Sequence, residues 1–374
     1  TEDLKARLLI FNHKQNYAQD STFEVSTYYR LHNDHYVFSR ENPDIFQAFH
    51  ETEVKSIAVS GRHTQTESFA LNYSAQFIAD GIESTTLENN FTSRHYYKIS
   101  VLPEYKMDLN NHQQVTYRLG AGFDDTNRDS AETSLIGDIS LSITNADDTS
   151  QTFYLSYAQA SQVPGYTAIG GSNTGGLFRS NYDLMRETTK NIELGIALDR
   201  DSWRLDSALF YRQDDDLTDW TYSLTSTSAR TANPVDMKTL GLELLAIKRL
   251  DNAEIITSYT FLNKSEDYGA ADIDASFYAL NYPDHRVTVG IVWRPFSMVE
   301  VRADNEWRKQ EENTLRNGSD DALFTHLTLK ITPAQFKGLD IMLAADNLWD
   351  ESFEEIPGTP GRGKQYTISA TYHW

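Results

Sequence analysis

Cysteine is absent from the 374 residues, which excludes disulfide staples and thiolate metal sites. No stretch approaches the roughly 18 to 20 consecutive apolar residues that a spanning helix requires, and hydrophobic residues make up only 39% of a chain whose mean hydropathy is -0.54. Basic side chains are also scarce, with Lys+Arg 33 against Asp+Glu 54 and a net charge of -21. That balance excludes a nucleic-acid-wrapping surface, which needs clustered cations to neutralise phosphates. No HExxH, nucleophile elbow or P-loop is present, so no enzyme chemistry is indicated. Gly170-Gly171-Ser172-Asn173-Thr174-Gly175-Gly176 is rich in glycine but lacks the phosphate-binding Lys and reads as a mobile loop. His32 and His35, three apart, fall on opposite faces of a strand and share no metal. Thr1 opens a polar stretch that leads straight into a strand, with no signal-peptide pattern, and reads as a mature or fragment start.

Aromatics are plentiful, with Tyr 21, Phe 18 and Trp 6, and they sit within period-two alternation. Trp203, Leu205, Leu209 and Tyr211 share one face of a strand, with Arg204, Asp206 and Arg212 on the other. Val287, Val289, Ile291 and Trp293 repeat the pattern against Arg286, Thr288 and Arg294. From Val299 to Arg308 one face would carry Glu300, Arg302, Asp304, Glu306 and Arg308, a row that no dry core accepts unpaired. The last segment alternates Tyr366, Ile368, Ala370, Tyr372 and Trp374 with Thr367, Ser369, Thr371 and His373. A soluble antiparallel sheet with one wet face gives the same alternation. Aromatics placed towards strand ends, as in Tyr28, Tyr29, Tyr96, Tyr97, Trp293, Trp307, Tyr372 and Trp374, favour interfacial girdles and hence an all-β transmembrane antiparallel up-and-down barrel.

The connections alternate in length. Asn16 to Asp20, His63 to Glu67, Asn145 to Thr149, Arg200 to Ser202, Leu250 to Asn252 and Phe296 to Met298 are tight. Ser39 to His50, Asp80 to Ser93, Val163 to Glu187, Asp214 to Val235 and Leu262 to Tyr282 are long. Outer-membrane barrels pair short periplasmic turns with long extracellular loops, which puts Trp374 at the periplasmic end. The count is about 17 strands, whereas single-chain bacterial barrels close with an even number, so a companion piece with further strands is expected.

Three ordered motifs carry a family resemblance. Ser156-Tyr157-Ala158-Gln159-Ala160-Ser161-Gln162-Val163-Pro164 precedes a Gly/Asn-rich loop and Arg186-Glu187-Thr188-Thr189-Lys190-Asn191-Ile192-Glu193-Leu194-Gly195. Leu240-Gly241-Leu242-Glu243 is similar to a Gly-x-Glu strand start, and Asp346-Asn347-Leu348-Trp349-Asp350 precedes Ile356-Pro357-Gly358-Thr359-Pro360-Gly361-Arg362 and the last strand. Together they resemble the C-terminal barrel of TonB-dependent outer-membrane receptors. The resemblance implies a barrel of about 22 strands, an N-terminal plug that gates it, and energy from a TonB-ExbB-ExbD system in a Gram-negative outer membrane. Nothing in this chain looks like the plug or the TonB-recruiting box, so residues 1–374 read as one barrel portion. The terminal Trp374 resembles the signal read by the outer-membrane assembly machinery, and serves equally as an interfacial anchor. Within the family, Tyr28-Tyr29-Arg30-Leu31-His32-Asn33-Asp34-His35-Tyr36, Arg40 and His50-Glu51-Thr52 look most like cobalamin receptors, while iron-siderophore receptors share the frame.

Solute contacts are expected from outer-loop rings, with Tyr166, Phe178, Tyr182, Trp220, Tyr222, Tyr268 and Tyr278 as candidates, although packing against loops or lipopolysaccharide explains any one of them. Asp214, Asp216 and Asp219 are a candidate calcium site, weighed against a solvated acidic loop without calcium-loop spacing, and Asp124, Asp125 and Asp129 are weighed alike. A passive porin or structural barrel, and a surface glycan-binding or adhesin module, are the rival functions.

Overall fold

A computed structural model describes residues 1–145, 149–225 and 227–373. Trp374 and the middle of the Asn145 to Thr149 turn lie outside the described residues. The strands in chain order are β1 Glu2–Ala18, β2 Ser21–Val37, β3 Gln47–Thr66, β4 Phe69–Ser84, β5 Ser93–Asn110, β6 Gln113–Thr126, β7 Glu132–Thr144, β8 Ser150–Gln162, β9 Phe178–Arg179, β10 Glu187–Arg200, β11 Trp203–Ser223, β12 Thr227–Arg249, β13 Ala253–Asp267, β14 Ala275–Ser276, β15 Pro283–Phe296, β16 Val299–Gln310, β17 Asp321–Ile331, β18 Leu339–Asp346 and β19 Gln365–Tyr372. Two of these nineteen, β9 and β14, are two-residue strands within loops, which leaves seventeen wall strands among the described residues, the number the alternation predicts. Each wall strand pairs antiparallel with the next, β8 passing to β10 and β13 to β15. Among the described residues β1 pairs only with β2 and β19 only with β18, so the sheet has two free edges. No described helix is long and apolar enough to cross a membrane.

Cross-strand register carries each face through the wall, because paired residues share a side and successive residues alternate. Leu155 opposes Leu194, which opposes Leu209, which opposes Leu242, all on one face. Leu194 remains 58% and Leu209 49% exposed, so this apolar face packs in no protein core. At about 25 cal/mol per Å² of apolar surface, such a face is stable only against a non-aqueous medium. The opposite face pairs charge with charge: Arg62 with Glu104 at 2.9 Å, Arg294 with Glu300 at 2.8 Å, Arg286 with Glu306 at 2.6 Å and Lys330 with Asp340 at 3.0 Å. The row from Glu300 to Arg308 thus finds its partners along the wall. Two cross-strand rings also fill the space over glycines on this face, Tyr154 over Gly195 and Phe210 over Gly241, where a Cβ would collide with the ring.

The buried apolar residues lie mainly beyond the wall, in the long loops and in the projecting end of β12, with Val163, Ile169, Leu184, Ala232, Val235, Phe277 and Phe353 among them. The Asn347-Trp349-Asp350 motif is a locked turn. Asn347 at φ 48° donates to the Glu351 and Arg362 carbonyls at 2.9 and 3.1 Å, and Trp349 donates from Nε1 to Thr325 at 2.8 Å.

Four expectations are corrected. Asp214 to Val235 is not a loop, because β11 runs to Ser223 and β12 begins at Thr227. The loops at Ser39 to His50, Asp80 to Ser93 and Leu262 to Tyr282 are shorter than read, since β2 reaches Val37, β3 begins at Gln47, β4 reaches Ser84 and β13 reaches Asp267. Leu240-Gly241-Leu242-Glu243 lies inside β12 and starts no strand. Tyr28 and Tyr29 sit at mid-strand in β2, away from either rim.

Candidate ligand-binding mouth

At about 3.3 Å per residue, the 21 residues of β11 extend about 70 Å, far more than a bilayer core needs. The hairpin therefore continues past the wall, bending at a bulge between Asp214 and Leu217 where Asp216 takes φ 56°. The Asp216 backbone N–H donates to Asp236 at 2.9 Å, and burial together with Asp236 and Asp215 raises the Asp216 carboxyl. Segment 163–186 and segment 268–282 fold against this projection and form a mouth at the long-loop end.

Segment 163–186 is anchored by arginines and a small core. The helix α1, Tyr166–Gly170, sets Ala168 and Ile169 against Leu184 and Ala232, with Phe91 and Trp220 packed around them. Arg94 donates to Asp80 at 2.9 Å and to the Pro164 carbonyl at 3.2 Å, and lies 4.1 Å from the Tyr166 ring centre. The Tyr166 hydroxyl donates to Asp80, and burial with that carboxylate raises the phenol well above its ordinary range. Arg128 donates to the Tyr182 and Leu184 carbonyls at 3.1 and 3.0 Å, and burial lowers its pKa. Arg186 pairs with Asp124 and donates to the Ser130 carbonyl at 2.8 Å, while its backbone N–H donates to Asp129 at 2.9 Å.

Segment 268–282 is pinned by Asp219, which is fully buried. It accepts from Tyr268 and Ser276 hydroxyls at 2.6 Å each and from the Ala279 N–H at 3.1 Å. Burial and the Asp219 charge raise the Tyr268 phenol. Val235, Met237 and Ala279 form a second core against Leu217 and Tyr268. Lys264 lies 4.3 Å from the Tyr282 ring, and burial, with Glu311 nearby, pushes that phenol up to about 12.

The expected site residues divide accordingly. Tyr166, Tyr182 and Tyr268 are fastened by their hydroxyls, Tyr182 donating to the Gly171 carbonyl at 2.8 Å, and hold the mouth together. Tyr222 is half-buried and pairs with Ala275. Phe178 and Trp220 meet edge-to-face at 5.4 Å, with Phe178 47% exposed, and Tyr278 is 49% exposed. Asp214, Asp216 and Asp219 have separate engagements: Asp214 accepts from Arg212 and Thr189, Asp219 accepts from the 268–282 segment, and the Asp216 backbone N–H at the bulge donates to Asp236. Among the described residues no three His, Asp or Glu side chains group as metal ligands. Asp124 and Asp129 are likewise engaged by Arg186. Sequence reading missed Arg230, whose guanidinium lies 4.0 Å from the Phe277 ring centre and 5.2 Å from that of Phe178.

An antiparallel wall with one greasy and one charged face, roofed at one end by folded loops, defines a membrane β-barrel of the receptor class. Residues 3–348 match the family model for the TonB dependent receptor-like β-barrel, and the chain belongs to that family. No curated protein matches it in sequence. Among solved structures it is similar to the copper transporter OprC, at 12% identity and TM-score 0.70, covering 99% of this chain and 65% of that one. It is similar to the siderophore receptor PirA from Acinetobacter baumannii, at 13% identity and TM-score 0.70, covering 100% and 63%. It is also similar to the pyoverdine receptor FpvA from Pseudomonas aeruginosa PAO1, at 11% identity and TM-score 0.70, covering 100% and 62%. The chain thus spans less than two thirds of the length of each of these structures.

Proposed function

We propose that this chain is the barrel portion of a receptor that imports a large, scarce solute across the outer membrane of a Gram-negative bacterium. A plug domain gates the lumen, and the TonB-ExbB-ExbD system supplies energy through it. The observation that carries this reading is the coexistence of a charge-paired inner face with a folded mouth at the long-loop end. A passive porin needs the first and not the second. Structural relatives are named as a copper transporter and a siderophore receptor, which supports a metal or metal-complex cargo. Most of the cobalamin-like motif lies in the paired strands β2 and β3, with Arg40 in the connection between them.

Import would be measured in cells carrying the full receptor, with radiolabelled cobalamin and ferric siderophores supplied separately. Uptake of one cargo that stops when the proton gradient is collapsed is the expected result. Uptake indifferent to the gradient, or a large ion conductance from the purified receptor, would transfer the chain to the porin class.

A further inference from the structure

The arginines of the mouth are almost all neutralised. Arg94, Arg186 and Arg212 meet carboxylates, and Arg128 meets two backbone carbonyls. Among the described residues, Arg179 and Arg230 meet neither. Arg179 is paired in register with Thr231 and falls on the opposite side from its neighbour Phe178. Arg230 pairs with Phe178 and lies between two rings, Phe277 beneath at 4.0 Å and Phe178 beside it at 5.2 Å. Trp220 closes on Phe178 edge-to-face.

A guanidinium held by ring faces keeps its in-plane N–H donors for something else. What sets Arg230 apart from Arg94, Arg186 and Arg212 in the mouth is that its guanidinium lies against two rings and meets no carboxylate among the described residues. Two rings lie against the guanidinium, and a planar oxyanion can meet its fork with two parallel hydrogen bonds. Beside that fork, Leu177 at 61% and Phe178 at 47% exposure offer an apolar shelf. A ligand that satisfies both carries a carboxylate or ring-borne oxyanion next to an apolar ring.

Resting on the uptake reading, we infer that Arg230, with Phe178, Phe277 and Trp220, forms an anion-binding subsite of the mouth that selects solutes bearing a ring-linked oxyanion.

The probe is benzoate, with benzylamine as the cation of similar shape, titrated into the full receptor in detergent while tryptophan fluorescence is followed. Trp220→Phe identifies the part of the signal that comes from this site. A saturable response to benzoate is expected, with none to benzylamine. Arg230→Met should weaken benzoate at least about tenfold and Arg230→Lys by less, because lysine keeps the charge and loses the fork. Circular dichroism checks that each variant is folded, and Arg230→Lys carries the comparison if Arg230→Met is not. Equal binding by Arg230→Met, an equal response to benzylamine, or no saturable response in the parent overturns the proposal. If gradient-dependent uptake is intact while Arg230→Met changes neither benzoate binding nor uptake, the subsite fails and the uptake reading stands. If Arg230→Met abolishes benzoate binding while import ignores the gradient, the uptake reading fails alone.

Discussion

Asp219 offers four lone-pair directions in a fully buried position, and three of them are filled by Tyr268, Ser276 and Ala279. Replacing it with Asn keeps the volume but turns one acceptor into a donor facing hydroxyls that already donate. The expected cost is about 2 kcal/mol, or roughly thirtyfold in local opening. Hydrogen exchange at the Ala279 amide should speed up by that factor while the wall amides stay protected; equal exchange would show that the segment is held by its apolar contacts alone. The engagement of Asp219 was not legible in the sequence, because its donors arrive from 49 to 60 residues away. A second residue-scale effect concerns Glu311, whose carboxyl is raised by burial and by Asp284. A raised folded-state pKa gives stability that is complete below the unfolded value near 4.3 and lost as pH climbs through the raised value. The Glu311 amide, which donates to the Tyr282 carbonyl at 2.8 Å, should therefore exchange faster at pH 8 than at pH 5 after correction for intrinsic rate. Asp284→Asn should flatten that difference; an unchanged difference would point to another titrating group.

The β11–β12 hairpin shows why some element limits escaped sequence reading. Residues 214–235 are rich in Asp, Thr and Ser and contain Pro234, a composition of low strand propensity that reads as loop. Pairing extends the strands anyway, since each supplies the other with a ladder. Pro234 is tolerated because it lies between Thr231, paired with Arg179, and Asp236, paired with Asp267, where β12 has no second neighbour among the described residues. Within the wall, by contrast, alternation was a sufficient guide, because one-residue slips would put Leu194 and Leu209 on the charged face. The same rigidity makes Gly241 sensitive: an Ala there drives the Phe210 ring from its place over the strand. Overpacking of this kind costs about 1 to 3 kcal/mol. Gly241→Ala should lower the thermal midpoint of the folded receptor, and Gly241→Ala combined with Phe210→Ala should restore part of it. No rescue in the double variant would mean that the ring and the glycine do not interact as described.

At the scale of the molecule, seventeen wall strands were legible because tight turns and alternation recur along the whole chain, whereas the mouth was not, since its contacts join residues as far apart as Tyr166 and Asp80. The two free edges pose the remaining question. β1 leaves Leu9 69% and Phe11 58% exposed beside an edge of unpaired backbone groups, and each such group left in hydrocarbon costs several kcal/mol. Either the wall curls until β1 meets β19, or companion strands fill the gap. An odd number of strands argues for companions, because antiparallel neighbours throughout a closed ring require an even count. A chain without cysteine allows a direct measurement. Phe11→Cys combined with Ile368→Cys, in the full receptor in its native membrane, should stay reduced under mild oxidant, since companion strands would hold the two Cα atoms well beyond the roughly 7 Å limit for a disulfide. Phe11→Cys combined with Thr27→Cys, directly opposite in the β1–β2 register, serves as the pair that can cross-link. Efficient bridging between β1 and β19 would close the wall at seventeen strands and remove the need for a companion.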